Sequence, residues 1–262
     1  KSQVYVATPH NFHYENTQLC LENGKHVLCE KPFTVNAAQA EELAALARRN
    51  NLFLMEALWT RFLPSIQKLQ VLLAEGAIGE VRTVQADFCF PALPGPEHRL
   101  RNPALAGGAL LDLGVYPVNF AALVFGAHPV RIQSSAVMDE TGVDAASYYL
   151  FDYENGGRAV LSSSYTYRSP NCGVVSGTDG YIWLPHFHGA AQLHIHRSGH
   201  EPETFEFPCP DEQTFKFEIE HAMECISSDR PESPVMPLAE TIAVMRTMDA
   251  LRSQWGLKYP DE

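Results

Sequence analysis

The sequence lacks both glycine-rich loops that commonly hold nucleotide phosphates: neither G-x-G-x-x-G nor G-x-x-x-x-G-K-[ST] occurs in its 262 residues. Its six cysteines (positions 20, 29, 89, 172, 209 and 225) form no C-x-x-C pair. This scatter favours buried thiols in a reducing cytosol over a disulfide framework. No apolar run approaches the roughly 18 residues of a membrane helix, and no signal-peptide pattern is present. We therefore expect a cytoplasmic protein without a membrane partner.

Positive charge is also scarce. Lys and Arg number 19 against 31 Asp and Glu, so the formal net charge is −12. This balance argues against a nucleic-acid or anionic-membrane partner, because both attract basic surfaces. Hydrophobic residues make up 45% of the chain, which is enough for the core of one large domain or two ordinary ones. A small-molecule substrate is the expected partner.

The first 56 residues alternate apolar strands with helices. Strands are predicted at 3–7, 26–29 and 52–55, and helices at 14–23 and 37–50, the second helix capped by Asn36. Strands that alternate with helices of this length are typical of a parallel sheet. We predict an incomplete, doubly wound parallel domain over residues 1–56.

The pattern changes over residues 57–262. A helix is predicted at 61–75, a strand at 81–90, an irregular loop at Pro91–Pro103 and a glycine-rich helix at 107–125. Mostly β segments follow, at 130–138, 145–153, 158–167, 172–176, 180–184, 191–197 and 203–207, and helices at 213–227 and 237–254 come last. The turn at 154–157 is a hairpin signal. These features predict a second, α/β domain with a large, mostly antiparallel sheet.

The stretch GKHVLCEKP places Lys31 directly after a buried strand. Pro32 cannot continue the strand, and it favours an extended conformation at Lys31. In open α/β sheets, ligands bind at the carboxyl ends of the strands. Lys31 is therefore a candidate site residue, and the alternative is a solvated strand end.

The stretch GGALLDLGVYPVNF contains two polar residues in an apolar helix. Asp112 and Tyr116 are four positions apart and would share one helix face. Buried polar groups need a partner or a function. Gly107, Gly108 and Gly114 weaken a helix, so their value would be close approach to another strand or a ligand. The alternative is a packed helix whose Asp112 caps a neighbouring element.

Histidines occur in two groups. His10 and His13 follow the first strand, where they could line a site or simply cap the next helix. The remaining group, His186, His188, His194, His196 and His200, contains i, i+2 pairs, but no Cys, Asp or Glu nearby completes a ligand set. We predict surface strands there and no metal.

Taken together, the segments ATPHNFHYENTQLCLENGKHVLCEKPFTVNAAQAEEL, GGALLDLGVYPVNFA and SGTDGYIWLP resemble the glucose–fructose oxidoreductase/inositol dehydrogenase (Gfo/Idh/MocA) family. The Glu-Lys-Pro and Gly-Gly-x-Leu-x-Asp-x-Gly-x-Tyr motifs carry the resemblance, which extends over essentially the whole chain. Tyr at position 116, where inositol dehydrogenases have His, is similar to the branch of dihydrodiol and D-xylose dehydrogenases.

The resemblance implies a Rossmann domain, a second α/β domain, and a nicotinamide between them. It implies catalytic roles for Lys31, Tyr116 and Asp112. It also implies cofactor contacts from Thr8, Pro9, His10, His13, Glu30 and Lys31, and, more weakly, substrate or subunit contacts from Trp59, Arg82 and Phe88. A neighbouring Lys31 would lower the pKa of Tyr116 so that it can accept the hydroxyl proton.

The implied activity is NADP-dependent oxidation of a sugar or trans-dihydrodiol hydroxyl, with NAD also possible, in a homodimer or homotetramer built through the open sheet. The family's first strand and Gly-rich loop do not match any segment of this sequence. We therefore expect either a fragment of a longer enzyme or a shortened form that does not bind cofactor. A non-catalytic member, or an epimerase or eliminase on the same scaffold, is the alternative.

Overall fold

The computed structural model describes residues 2–208, 214–260 and 262. Cys209 and the predicted helix start at 213 lie outside these residues. The fold class agrees with the prediction, since a parallel three-stranded sheet precedes a larger, mostly antiparallel one.

The first sheet has the strand order β1-β2-β3, with every neighbouring pair parallel. Its strands and helices are β1 (Gln3–Val6), α1 (His13–Glu22), β2 (His26–Glu30), α2 (Ala37–Arg49) and β3 (Leu54–Ala57). Asn36 caps α2 as predicted, because its side chain accepts a hydrogen bond from the Gln39 N–H at 3.0 Å. The third strand begins two residues later than predicted, because the Leu52 N–H still bonds the Ala47 carbonyl at the end of α2.

The second sheet has eight strands in the order β11-β10-β9-β8-β4-β7-β6-β5. They are β4 (Val81–Cys89), β5 (Arg131–Met138), β6 (Asp144–Asp152), β7 (Arg158–Ser164), β8 (Gly173–Gly177), β9 (Gly180–Leu184), β10 (Gln192–Arg197) and β11 (Glu203–Glu206). The predicted hairpin at 154–157 joins β6 to β7. Within this second sheet, the pairing of β4 with β7 is the one parallel pairing among the described strands.

In the part of the chain that the structure describes, four further α-helices accompany this sheet: α3 (Pro64–Ala74), α4 (Val115–Phe125), α5 (Lys216–Ser227) and α6 (Leu238–Trp255). The predicted helix at 61–75 is divided, because a 3-10 turn at Trp59–Phe62 ends before Pro64 starts α3. Helix α6 packs on α2 and β3 of the first sheet and on β5 of the second. Its Asp249 accepts a hydrogen bond from the Ala37 N–H (2.8 Å), and its Arg252 donates to the Val35 carbonyl (3.1 Å). The helix therefore ties the two sheets together.

The predicted single helix at 107–125 is wrong in its first part. Residues Leu110–Gly114 form a π-helix, and only then does α4 begin. Gly108 has φ 118°, which prevents a regular start. The segment Pro103–Phe125 is long and apolar enough to cross a membrane, contrary to the expectation that no run approaches this length, but 83% of its most apolar window is buried within the protein. It is therefore a core element of the fold.

Candidate active site

Lys31 bridges the two sheets at the carboxyl end of β2. Its Nζ donates to the backbone carbonyl of Asp112 (2.7 Å) and to Asp112 Oδ1 (3.1 Å), and its side chain is only 15% exposed. The Lys31–Pro32 peptide bond is cis. Burial lowers the pKa of Lys31, but the nearby Tyr116 and Asp112 outweigh it and leave the pKa above the ordinary value. The ammonium ion is thus the stable form.

Asp112 lies in the middle of the π-helix and collects three basic side chains around one oxygen. Its Oδ1 lies 3.1 Å from Lys31 Nζ, 2.9 Å from an Arg99 guanidinium nitrogen and 3.4 Å from His10 Nε2. Burial alone would raise the pKa of Asp112, but these neighbours hold it well below the usual range. A π-helical turn at such a cluster is common in functional sites.

Tyr116 occupies the first turn of α4, beside Lys31. Its hydroxyl oxygen accepts a hydrogen bond from Trp59 Nε1 at 2.9 Å, and Lys31 Nζ lies 5.1 Å from the centre of its ring. The sequence predicts that Lys31 lowers the pKa of Tyr116 below its ordinary value, and this prediction is wrong, because the net shift is upward. Burial raises the pKa of Tyr116 above its ordinary value of 10.0 and outweighs the opposing effects of Lys31 and the Trp59 hydrogen bond.

An aromatic wall continues the site beyond Tyr116. The Phe88 ring meets Tyr116 edge-on at 5.2 Å between centroids, and His188 stacks on Phe88 at 4.1 Å with an interplanar angle of 18°. The ring centroids of Trp59 and Phe215 are 5.5 Å apart. Beside this wall is a cavity of about 660 Å³, a size within the range of small-molecule sites. Trp59 and Phe88, which the resemblance implicated only weakly, thus lie beside Tyr116.

Not every residue predicted to line a cofactor has an exposed polar atom that could contact one. His13 is fully buried, and its Nδ1 and Nε2 each lie 2.8 Å from a backbone carbonyl, those of Pro32 and Thr8. Burial, with His10 as a secondary cause, lowers the pKa of His13 to about 4. His13 therefore builds the loop and exposes no ring nitrogen, and it does not cap α1.

The other predicted cofactor residues lie closer to the surface, except for His10. His10 Nδ1 contacts the Ala106 carbonyl at 2.9 Å, so this ring joins the first-sheet loop to the π-helix region. Thr8 is exposed and Pro9 is partly exposed. Glu30 accepts hydrogen bonds from the Tyr5 hydroxyl and from the Lys31 N–H (3.1 Å). Thr8, Pro9 and Glu30 form the accessible rim near Lys31.

Arg82 lies apart from this group. It is exposed near the start of β4 and pairs with Glu80 at 2.7 Å, whereas Phe88 lies near the other end of the strand. Two neighbours of the site were not predicted as site residues. Arg99 comes from the 91–103 loop, and His188 was considered only as a member of the histidine group. No local motif marks Arg99 or His188, because their partners, Asp112 and Phe88, are distant in the sequence and come close only when the chain folds.

The histidine-rich segment is partly strand. His194 and His196 lie on β10 and stack on Trp183 and Tyr181 at 4.8 and 4.5 Å between centroids. His186 and His188, in contrast, lie at a 3-10 turn. Over the described ranges, no cluster of three or more His, Cys, Asp or Glu side chains is placed to hold a metal ion.

Comparisons with known proteins agree with this geometry. Residues 2–58 match the family "Oxidoreductase family, NAD-binding Rossmann fold", and residues 66–183 match the "GFO/IDH/MocA C-terminal domain". The chain is 37% identical over 265 residues to a trans-1,2-dihydrobenzene-1,2-diol dehydrogenase of Xenopus laevis, covering 98% of this chain and 79% of that protein.

Two solved structures share the fold. The aldose–aldose oxidoreductase of Caulobacter crescentus, complexed with glycerol, superimposes with a TM-score of 0.87 at 27% identity, covering 98% of this chain and 78% of that one. A 3-ketoreductase of Actinomadura kijaniata, in complex with TDP-benzene and NADP, gives 0.81 at 30% identity, covering 96% and 77%. A Rossmann-type sheet whose carboxyl-edge lysine meets an aspartate and a tyrosine from the following helices, together with these matches, defines an oxidoreductase of the nicotinamide-dependent class. The chain belongs to the Gfo/Idh/MocA family.

Proposed function

We propose that this chain oxidises a hydroxyl group of a sugar or a trans-dihydrodiol, with NADP as the hydride acceptor. The observation that carries the proposal is the contact of Lys31 Nζ with both the carbonyl and the carboxylate of Asp112, next to Tyr116. The relatives act on a dihydrobenzene-diol and on aldoses, and one of them binds NADP. These substrates share a ring with adjacent hydroxyl groups.

The residues present fit the nicotinamide end of the cofactor. Thr8, Pro9 and Glu30 form an accessible rim at the carboxyl edge of a parallel sheet, beside Lys31, where such sheets bind ligands. When bound, NADP would supply the acceptor for the hydride. No residue is assigned to the pyrophosphate, because the sequence contains no G-x-G-x-x-G turn.

Under this proposal, Lys31 binds the substrate hydroxyl and Tyr116 accepts its proton. A lysine ammonium has three N–H donors, and Asp112 accepts two of them. The third donor is available to bind and polarise a substrate hydroxyl. The Tyr116 hydroxyl, when ionised, accepts the proton, and the Trp59 N–H and the Lys31 charge stabilise that anion against the cost of burial. General acid–base catalysis of this kind contributes about 10²–10⁴-fold.

Residues 1–56 form the cofactor side of the protein under this proposal, and residues 57–262 form the substrate and assembly side. The second sheet exposes large apolar side chains on one face: Tyr148, Leu150, Val160, Tyr181 and Trp183. A contiguous apolar face of this kind marks an interaction surface, and we assign it to a second copy of the chain, giving a homodimer or homotetramer. Unpaired thiols among the described cysteines support a cytoplasmic location.

Substitution of Lys31 tests the proposed function. With NADP and a panel of aldoses and trans-dihydrodiols, Lys31→Met should lower kcat by about 10²–10⁴-fold, because it removes the N–H donor that polarises the substrate hydroxyl and the charge that stabilises ionised Tyr116. Cofactor affinity, measured by nicotinamide fluorescence, should stay within about tenfold of wild type, because only the chemical step is affected. Lys258→Met, at an exposed lysine, is the matched control. Equal turnover in the Lys31 variant and the control would contradict the assignment.

A further inference from the structure

Four polar side chains lie buried beneath the π-helix, on β6 and β7: Asp144, Ser147, Tyr149 and Ser163. They form a continuous hydrogen-bonded chain. Ser147 Oγ donates to Asp144 Oδ2 at 2.8 Å, Ser147 Oγ and Tyr149 Oη are 2.6 Å apart, and Tyr149 Oη and Ser163 Oγ are also 2.6 Å apart. Asp144 Oδ1 has no hydrogen-bond partner among the described residues, so the hydrogen bonds of this chain to its surroundings run through Asp144 Oδ2 and the hydroxyl groups.

The network contacts both ends of the π-helix. At the start, Asp144 Oδ2 accepts a hydrogen bond from the Leu110 N–H at 2.8 Å, and a Cβ on Gly108 would collide with Asp144 Oδ1. At the end, a Cβ on Gly114 would lie 2.6 Å from Tyr149 Oη. The glycines therefore allow the helix backbone to approach the network closely, as the sequence suggested, and the neighbour is the protein's own sheet.

The capped amide is two residues before Asp112 in the chain. Asp112 meets Lys31 through its backbone carbonyl (2.7 Å) as well as through its carboxylate. A contact through the carbonyl depends directly on the path of the π-helix backbone. A shift of that backbone would move both acceptors of Lys31 at once, and misplacement of about 1 Å can cost about 10²-fold in rate.

We propose that Asp144 is a positioning residue, which holds the π-helix so that Asp112 can orient Lys31. This inference rests on the proposed function only for its effect on turnover. Burial raises the pKa of Asp144 to about 7, against the hydrogen bonds from Ser147 and Leu110. Asp144 Oδ2 accepts from two neutral donors, the Leu110 N–H and the Ser147 hydroxyl, so these contacts need an acceptor oxygen and do not need a charge. An amide at this position should therefore serve almost as well.

Four variants test the inference. Asp144→Ala removes the acceptor for Leu110, whereas Asp144→Asn keeps one. Ser147→Ala weakens the network next to Asp144. Ser164→Ala, the matched control, removes a buried β7 hydroxyl that donates to the Ala145 carbonyl and not to this network.

Two measurements are made on each variant. The first is kcat and KM with NADP and the best substrate of the panel. The second needs no turnover: the pKa of Lys31 is read from the 15Nζ shift in lysine-labelled protein, with the Lys31 signal assigned by its loss in Lys31→Met. Thermal unfolding checks that each variant is folded.

The expected results separate positioning from simple stabilisation. Asp144→Ala should lower kcat by roughly tenfold or more with a smaller change in KM, and should lower the pKa of Lys31, because Asp112 then supports the ammonium less. Asp144→Asn should stay within about threefold of wild type, Ser147→Ala should lie between the two, and Ser164→Ala should match wild type. If Asp144→Ala does not fold, Ser147→Ala decides by the same criteria.

Different failures have different meanings. An inactive wild type in which Asp144→Ala still lowers the pKa of Lys31 would remove the proposed function and keep the positioning role. An unchanged Lys31 pKa and unchanged kcat in folded Asp144→Ala would overturn the positioning role alone. Asp144→Asn as impaired as Asp144→Ala would also overturn it, because the charge and not the acceptor would then be required.

Discussion

Glu218 offers a direct test of the electrostatics of this fold. It lies in the first turn of α5, its side chain is 0% exposed, and neither carboxylate oxygen has a hydrogen-bond partner among the described residues. Burial raises its pKa to about 9, with smaller contributions from Glu30 and Glu56. An isolated buried carboxylate is costly, so the group holds its proton at neutral pH.

The pH dependence follows from the direction of that shift. The pKa is 4.5 in the unfolded chain and about 9 in the folded protein, so between these values the folded state holds a proton that the unfolded state has released. Stability from this group is complete below pH 4.5 and is lost as pH rises. The contribution of Glu218 to the free energy of unfolding should fall by about 1.4 kcal/mol per pH unit, or about 3 kcal/mol between pH 4.5 and 7.

Glu218→Gln replaces the protonated acid by a neutral group of the same shape. Urea unfolding at pH 5 and pH 8 should show the variant gaining on wild type by about 4 kcal/mol between the two pH values. Glu220→Gln, at an exposed position on the same helix, should show almost no gain. If the stability difference between Glu218→Gln and wild type is the same at both pH values, Glu218 titrates normally and the reasoning fails.

Three further predictions follow from the site and the sheets. Tyr116→Phe should lower kcat by about 10²–10⁴-fold and abolish the rise in rate at alkaline pH that a tyrosine pKa above 10 produces; an unchanged pH–rate profile would leave Tyr116 a packing residue. Gly114→Ala should cost about 1–3 kcal/mol in urea unfolding, while Gly95→Ala, which meets nothing within 4 Å, should cost little; equal costs would refute the close approach. If the exposed face of the second sheet forms the proposed contact between copies, Val160→Glu should give a smaller particle than wild type in light scattering, whereas Val71→Glu, at a similarly exposed valine on α3, should not; a wild-type oligomer that Val160→Glu leaves intact would show that this face is not the contact.

The first sheet could be predicted from the sequence because its signals are local. Apolar runs, the Asn36 cap and turn residues specify β1 to β3 and their helices within about two residues. Local patterns made Lys31, Asp112 and Tyr116 candidates, the resemblance implied their catalytic roles, and the structure places these three side chains together. The assignment of their roles remains a proposal.

The remaining parts of the site depend on non-local contacts. The π-helix contacts Asp144, more than 30 residues away, through the Leu110 N–H, and no periodicity in residues 107–125 reports that contact. Arg99 reaches Asp112 from an irregular loop with no motif. The pKa of Tyr116 was predicted in the wrong direction because proximity to Lys31 could be inferred from the sequence, whereas complete burial could not.

The bridging role of α6 has a consequence for synthesis on the ribosome. The side chains that contact the start of α2, Asp249 and Arg252, come from the last helix of this sequence. Once β3 has been made, residues 58–237 must be translated before α6 begins, which takes about 9–36 s at roughly 5–20 residues per second. During that interval the part of α2 that packs on α6 in the folded protein is not yet covered by that helix. The nascent first sheet is therefore a segment on which a ribosome-associated chaperone should act until α6 has been made.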